Sequence, residues 1–124
     1  MEAKLHQRTR MRKLSGSTDG LGIKIAATSG TGTTIHTAVS GTTTGAFDLV
    51  TLYATNNHTA DVVLTLQFGG TTSPDNEIIM SIPYKSGLFL LCDSLPLQNS
   101  KVVTAFAGTT NVIQIYGWVT PVND

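Results

Sequence analysis

The residue types that do catalysis or hold metals are few in this 124-residue chain, and they are scattered. Its three histidines, His6, His36 and His58, lie far apart. No H-x-H, H-x-x-x-H or C-x-x-C spacing gathers them into a metal site. They read as three unrelated histidines. Cys92 is the only cysteine and sits in "GLFLLCDS", next to Asp93. A neighbouring carboxylate raises a thiol pKa, which is the wrong direction for a nucleophilic thiolate. Cys92 is therefore expected to be a buried apolar residue of a strand, and a single cysteine allows no intrachain disulfide. "TSPDNEI" (72–78) brings Asp75, Asn76 and Glu77 together as oxygen ligands that Ca²⁺ could use. It lacks the alternating spacing and the glycine of an EF-hand loop. With Pro74 ahead of Asp75 and Asn76, it reads better as a turn. "TSGTGTT" (28–34) has the glycines and hydroxyls of a phosphate loop, but no G-K-[ST] ending and no helix to follow. These residues point to no enzyme, no metal and no cofactor.

The informative chemistry is a charge asymmetry. Lys4, Arg8, Arg10, Arg12 and Lys13 all fall in the first thirteen residues. Residues 1–24 hold six Lys/Arg against Glu2 and Asp19, a net +4; residues 25–124 hold Lys85 and Lys101 against six carboxylates, a net −4. The zero net charge of the chain hides this split. Charged residues make up 13% of the chain, about half the usual ~25%. A surface of neutral hydroxyls and amides suits packing against copies of itself or a large partner, because few charges lose their hydration. A β domain with a Thr-rich surface is the plainer reading of the same composition. The sequence leaves both open.

The basic arm itself has two readings, a solvated tail or a contact arm for an acidic partner or nucleic acid. Duplex contact through all five cations would give a log–log salt slope of roughly −4.5. The acidic body and only eight aromatic residues, none interleaved with the cations, argue against nucleic acid. Fully extended, twenty residues span up to roughly 70 Å, enough to cross a subunit boundary. The five cations are thus expected to bind a protein partner.

The elements behind this arm are β-prone. Residues 1–20 contain helix formers, but Ala3, Leu5, Met11 and Leu14 make no apolar stripe, so the arm is expected to fray. "SGSTDG" (15–20) reads as a flexible hinge. The domain is then expected to run from 21 to 124. Strands are predicted at 21–28, 34–39, 48–56, 61–69, 77–84, 87–93, 101–108 and 111–119, from short β-prone runs between Gly/Ser/Thr/Asn/Pro turns. Val62, Leu64, Leu66 and Phe68 share one face of the fourth strand; Ile78, Met80, Ile82 and Tyr84 share one face of the fifth. Pro83 marks an edge or a strand end. The last strand is apolar on both faces, with Tyr116 and Trp118 on the side away from Ile113 and Ile115. A strand covered on both sides looks like this, so Tyr116 and Trp118 are candidate subunit contacts. Eight short strands and no helix in the body predict an all-β antiparallel sandwich or jelly roll with an extended basic N-terminal arm. No apolar run approaches the ~20 residues of a membrane span, and no apolar signal-peptide region follows the basic N-terminus. Synthesis and assembly in the cytoplasm is the expectation.

Three stretches carry a resemblance: "VTLYATNNHTADVVLTLQFGGTTSPDNEI", then "IPYKSGLFLL" with "LPL", then "VTAFAGTTNVIQIYGWV". Residues 48–119 resemble small β-sandwich virion proteins encoded beside capsid genes in tailed bacteriophages. The likeness is to the capsid decoration, or cement, class. It implies a protein on the outside of an icosahedral head that clamps neighbouring capsomers, binds the major capsid protein and forms a homo-oligomer, often a trimer. It implies no enzyme, no cofactor and no membrane. A neck, tail or fibre-attachment component is the alternative within a virion, as is a jelly-roll coat protein with its arm on nucleic acid. A carbohydrate-binding sandwich using Trp118 and Tyr116 as a stacking platform is a third class.

Overall fold

A computed structural model describes residues 10–123. Among them there is no helix, and nine strands form two antiparallel sheets. In the five-stranded sheet, β1 (Arg12–Lys13) and β2 (Ile23–Lys24) both pair with β9 (Ile113–Asn123), which is followed by β4 (Ala46–Asn56) and β7 (Phe89–Leu97). The four-stranded sheet runs β3 (Thr33–Thr37), β8 (Val102–Ala107), β5 (Val62–Phe68) and β6 (Glu77–Ile82). The pairs β2·β9, β3·β8, β4·β7 and β5·β6 nest inside one another. The chain is therefore one long hairpin rolled up between two sheets, which is jelly-roll topology.

Alternation explains the strands. Val62, Leu64 and Leu66 of β5, Val103, Ala105 and Ala107 of β8, Val50, Leu52 and Ala54 of β4, and Ile113, Ile115 and Val119 of β9 all point inward and are buried. They form one core between the sheets, as period-2 patterning requires. Ile78 and Met80 pack against this core and Ile82 is fully buried, but Tyr84 lies beyond the end of β6 and is exposed. β6 is an edge strand that stops just before Pro83, as a residue without an N–H dictates. No helix among the described residues is long and apolar enough to cross a membrane.

The N-terminal segment departs from expectation. Residues 1–9 lie outside the described part, but residues 10–20 do not behave as an arm and a hinge. Arg12 and Lys13 pair with Val119 and Trp118 of β9. Leu14 is 1% exposed and belongs to the core. The Gly16 N–H donates to Ile35 O on the opposite sheet at 2.9 Å, and the Thr37 N–H donates to Ser15 Oγ at 2.8 Å. The Ser17 hydroxyl donates to Leu21 O at 2.7 Å. "SGSTDG" is thus a strap that ties β9 to β3, with Ser15 and Gly16 bonded to β3 and Ser17 bonded within the segment. The reason is local: one leucine, Leu14, fills a core site, and its small neighbours let the backbone pass close to β3. A Cβ on Gly16 would come 2.5 Å from Thr34 O.

Candidate functional site

Two surfaces of the jelly roll merit attention, and a buried polar pair underlies one of them. The first surface is the outer face of the five-stranded sheet. Register places Tyr116, Tyr53 and Leu90 side by side across β9, β4 and β7. Trp118 lies opposite Thr51 in the neighbouring position of the same face. The rings of Tyr53 and Trp118 are 6.0 Å apart between centroids and tilted by 34°, a favourable aromatic geometry. Tyr116 lies over Gly22, where a Cβ would come 2.6 Å from the ring, and its hydroxyl donates to Gln114 Oε1 at 3.2 Å. Tyr53, Tyr116 and Trp118 are half-buried and Leu90 is half exposed. Around them stand Thr51, Thr55, Gln114 and Thr120. The expected pair Tyr116 and Trp118 is thus on one face, joined by Tyr53 and Leu90. Those two were not anticipated; their signal is the alternation of "LVTLYAT", which sends Tyr53 out as Leu52 and Ala54 turn in.

The second surface is an open groove of about 950 Å³ where the strap crosses the end of the sandwich. Its lining includes the cations Arg10, Arg12 and Lys13 and the apolar residues Phe47, Pro121 and Val122. Of the five expected partner-binding cations, three therefore converge here, while Lys4 and Arg8 lie outside the described residues. Lys13 Nζ also donates to Ser17 O at 3.0 Å. Arg10 and Arg12 have no carboxylate within salt-bridge distance among the described residues.

At the groove floor sits the buried pair His36–Asp48, 5% and 7% exposed. His36 Nδ1 accepts a hydrogen bond from the Ser15 N–H at 3.1 Å. That fixes the neutral ring as the Nε2–H tautomer, which donates to Asp48 Oδ2 at 2.9 Å. The same carboxylate oxygen accepts from the Val39 N–H at 3.2 Å. A serine, a histidine and an aspartate meet here, but not as a hydrolytic triad. Ser15 presents its backbone N–H to the imidazole, and its hydroxyl serves Thr37; a triad needs the hydroxyl on the ring nitrogen. The pair is a structural lock joining strap, β3 and β4. His36 is therefore not an isolated histidine as its sequence position suggested.

The remaining candidates resolve simply. Cys92 is buried, and burial pushes its thiol up to about 11, with Asp93 adding to the rise and a backbone hydrogen bond opposing it. Asp75 and Asn76 lie in a compact turn, and Glu77 follows as the first residue of β6. The Thr72 N–H donates to Asn76 Oδ1 at 3.1 Å, and the Ser73 hydroxyl donates to Glu77 Oε1 at 3.0 Å. Among the described residues no three His, Cys, Asp or Glu side chains are grouped to hold a metal. Comparison with known protein families, with curated proteins and with solved structures finds no match.

Proposed function

We propose that this protein is a structural virion protein of the capsid decoration class, which binds the outer head surface and stabilises contacts between capsomers. The observation that carries the reading is the outer face of the five-stranded sheet. It offers an aromatic and aliphatic patch built from Tyr53, Trp118, Tyr116 and Leu90, set among threonines, with Lys13 beside Trp118 and Asp93 bonded to Thr51 at its margin. The four side chains of the patch carry no charge to be stripped of water, and the charges of Lys13 and Asp93 stand beside them. Rigid aromatic anchors on a sheet suit a broad protein surface. The jelly-roll topology, which viral capsid domains also use, is compatible with this role and with others. The resemblance of residues 48–119 to tailed-phage virion proteins points the same way.

The test is binding to undecorated tailed-phage heads, with the protein added back in excess and the heads pelleted. The protein is expected to co-sediment in a copy number that matches the capsomers and to raise the temperature at which heads release DNA. Trp118→Ala with Tyr53→Ala is expected to weaken that binding by at least about tenfold, the loss of one or two anchor residues. A copy number that matches one vertex or a tail would favour the neck or fibre-attachment alternative. Absence from purified particles would overturn the virion reading.

A further inference from the structure

We propose that copies of this chain associate head to tail, with the Asp75 turn of one copy seated in the Arg10–Arg12 groove of the next. The two surfaces are complementary in charge and in build. The groove is lined by the cations Arg10, Arg12 and Lys13 and by the apolar residues Phe47, Pro121 and Val122. Among the described residues that line it, the one carboxylate, Asp48, is already engaged by His36 and the Val39 N–H, and Arg10 and Arg12 are the charge these residues present. The turn between β5 and β6 is the acidic counterpart. Residues 71–75 are exposed, with Asp75 in the projecting part and Glu77 at its base. Its shape is set in advance by Asn76 N–H to Thr72 O at 2.9 Å, Glu77 N–H to Pro74 O at 3.2 Å, and the two side-chain bonds of Asn76 and Glu77. A turn ordered beforehand loses little entropy on docking, and an arginine pair is well matched to carboxylates.

The groove and the turn are different patches on opposite margins of the four-stranded sheet. The groove abuts β3, whereas the turn joins β5 to β6, the strand at the other edge. Because they lie at opposite margins, the turn and the groove of one copy face different neighbours, so the contact is heterologous: it repeats from copy to copy and closes into a ring when the rotation allows. Two-fold, self-complementary pairing is thereby distinguished from it. The association follows from the chain's own surfaces and is independent of where the protein resides.

Sedimentation velocity of the full chain tests the proposal over a range of protein and salt concentrations. The wild type is expected to associate with increasing concentration and to dissociate as salt rises, since the contact rests on exposed charges. Two charge reversals are then compared, Arg10→Glu/Arg12→Glu and Asp75→Lys/Glu77→Lys. Each alone is expected to weaken association about 100-fold or more, because like charges then face each other. Mixed in equal amounts, they are expected to re-associate in 1:1 proportion, since the acidic groove of one now meets the basic turn of the other. The neutral pair Arg12→Gln and Asp75→Asn, each weakening association without repulsion, serves if a reversal unfolds the protein. A wild type that stays monomeric at all concentrations overturns the proposal. So does association unchanged by either reversal, or a mixture that remains as dissociated as its components.

Discussion

His36 and Asp48 are joined by a 2.9 Å hydrogen bond in the protein interior, and the imidazole's other nitrogen is held by the Ser15 N–H. One side chain thus closes the seam between the two sheets at the point where the N-terminal strap arrives. His36→Ala leaves a buried carboxylate with one partner fewer and strands the Ser15 N–H. A destabilisation of about 2–3 kcal/mol is expected by urea unfolding, with the m-value unchanged. His36→Leu with Asp48→Leu is expected to cost less than the sum of the two single changes, because neither side chain of the pair is then left without the other, although the Ser15 and Val39 N–H groups lose their acceptors.

The strap makes a second prediction. Leu14 is 1% exposed and Met11, three residues earlier, is 60% exposed. Leu14→Ala is expected to lower stability by about 2–5 kcal/mol, the usual range for a core leucine, whereas Met11→Ala should stay within about 0.5 kcal/mol. Thermal or urea melts of the two variants check this. Equal effects would mean that residues 10–20 are held only loosely to the sandwich. The same result guides truncation: shortening the chain past residue 13 removes a core side chain as well as cations.

Much of the fold could be read in the sequence because alternation is a local signal. Val62, Leu64 and Leu66 announce both a strand and its inward face, and the last strand's two-sided apolarity pointed to Tyr116 and Trp118. The strap was missed because a single leucine within a cationic stretch has no period to betray it, and its partners lie on β9 and β3, far along the chain. The His36–Asp48 pair was missed for a different reason. Ile35 and His36 are adjacent, yet both are buried. The register of β3 against β8 shifts between Thr34 and His36. Such an irregularity re-aims a side chain that strict alternation would send outward. The Arg10–Arg12 groove was half legible: the cations were evident, but the apolar lining from Phe47, Pro121 and Val122 is assembled by β4 and β9 meeting at the end of the sheet.

Gly117 gives a sharper test of β4–β9 registration. It stands opposite Leu52, and a Cβ there would come 2.1 Å from Thr51 O. No rotamer relieves a clash between a Cβ and a backbone carbonyl, so β9 must move away from β4. Gly117→Ala is expected to cost at least about 2 kcal/mol, within the range for overpacking in a close-packed interior. The aromatic face depends on the same register, because Trp118 and Tyr116 flank Gly117. The near-ultraviolet circular dichroism of the folded variant is therefore expected to change as the Tyr53–Trp118 geometry shifts, which an exposed alanine substitution would not cause.

Cys92 contributes a pH dependence to stability at alkaline pH. Its thiol sits between β4 and the core, and its pKa is raised from the ordinary 9.0 to about 11 by burial, with Asp93 adding to it. In the unfolded chain the thiol ionises at its ordinary value, while in the folded chain it stays protonated. Below about pH 9 both states hold the proton and the group contributes its full share. Between about pH 9 and 11 the unfolded state alone releases a proton, so stability falls with rising pH across that window. The comparison that isolates Cys92 is with Cys92→Val. The difference in unfolding free energy between wild type and Cys92→Val is expected to be constant up to about pH 9 and then to move in the variant's favour by a limit of roughly 3 kcal/mol. A difference that stays flat to pH 11 would show that the thiol titrates alike in both states, and a thiol reagent that labels the native protein at neutral pH as fast as the unfolded one would show that it is not buried at all.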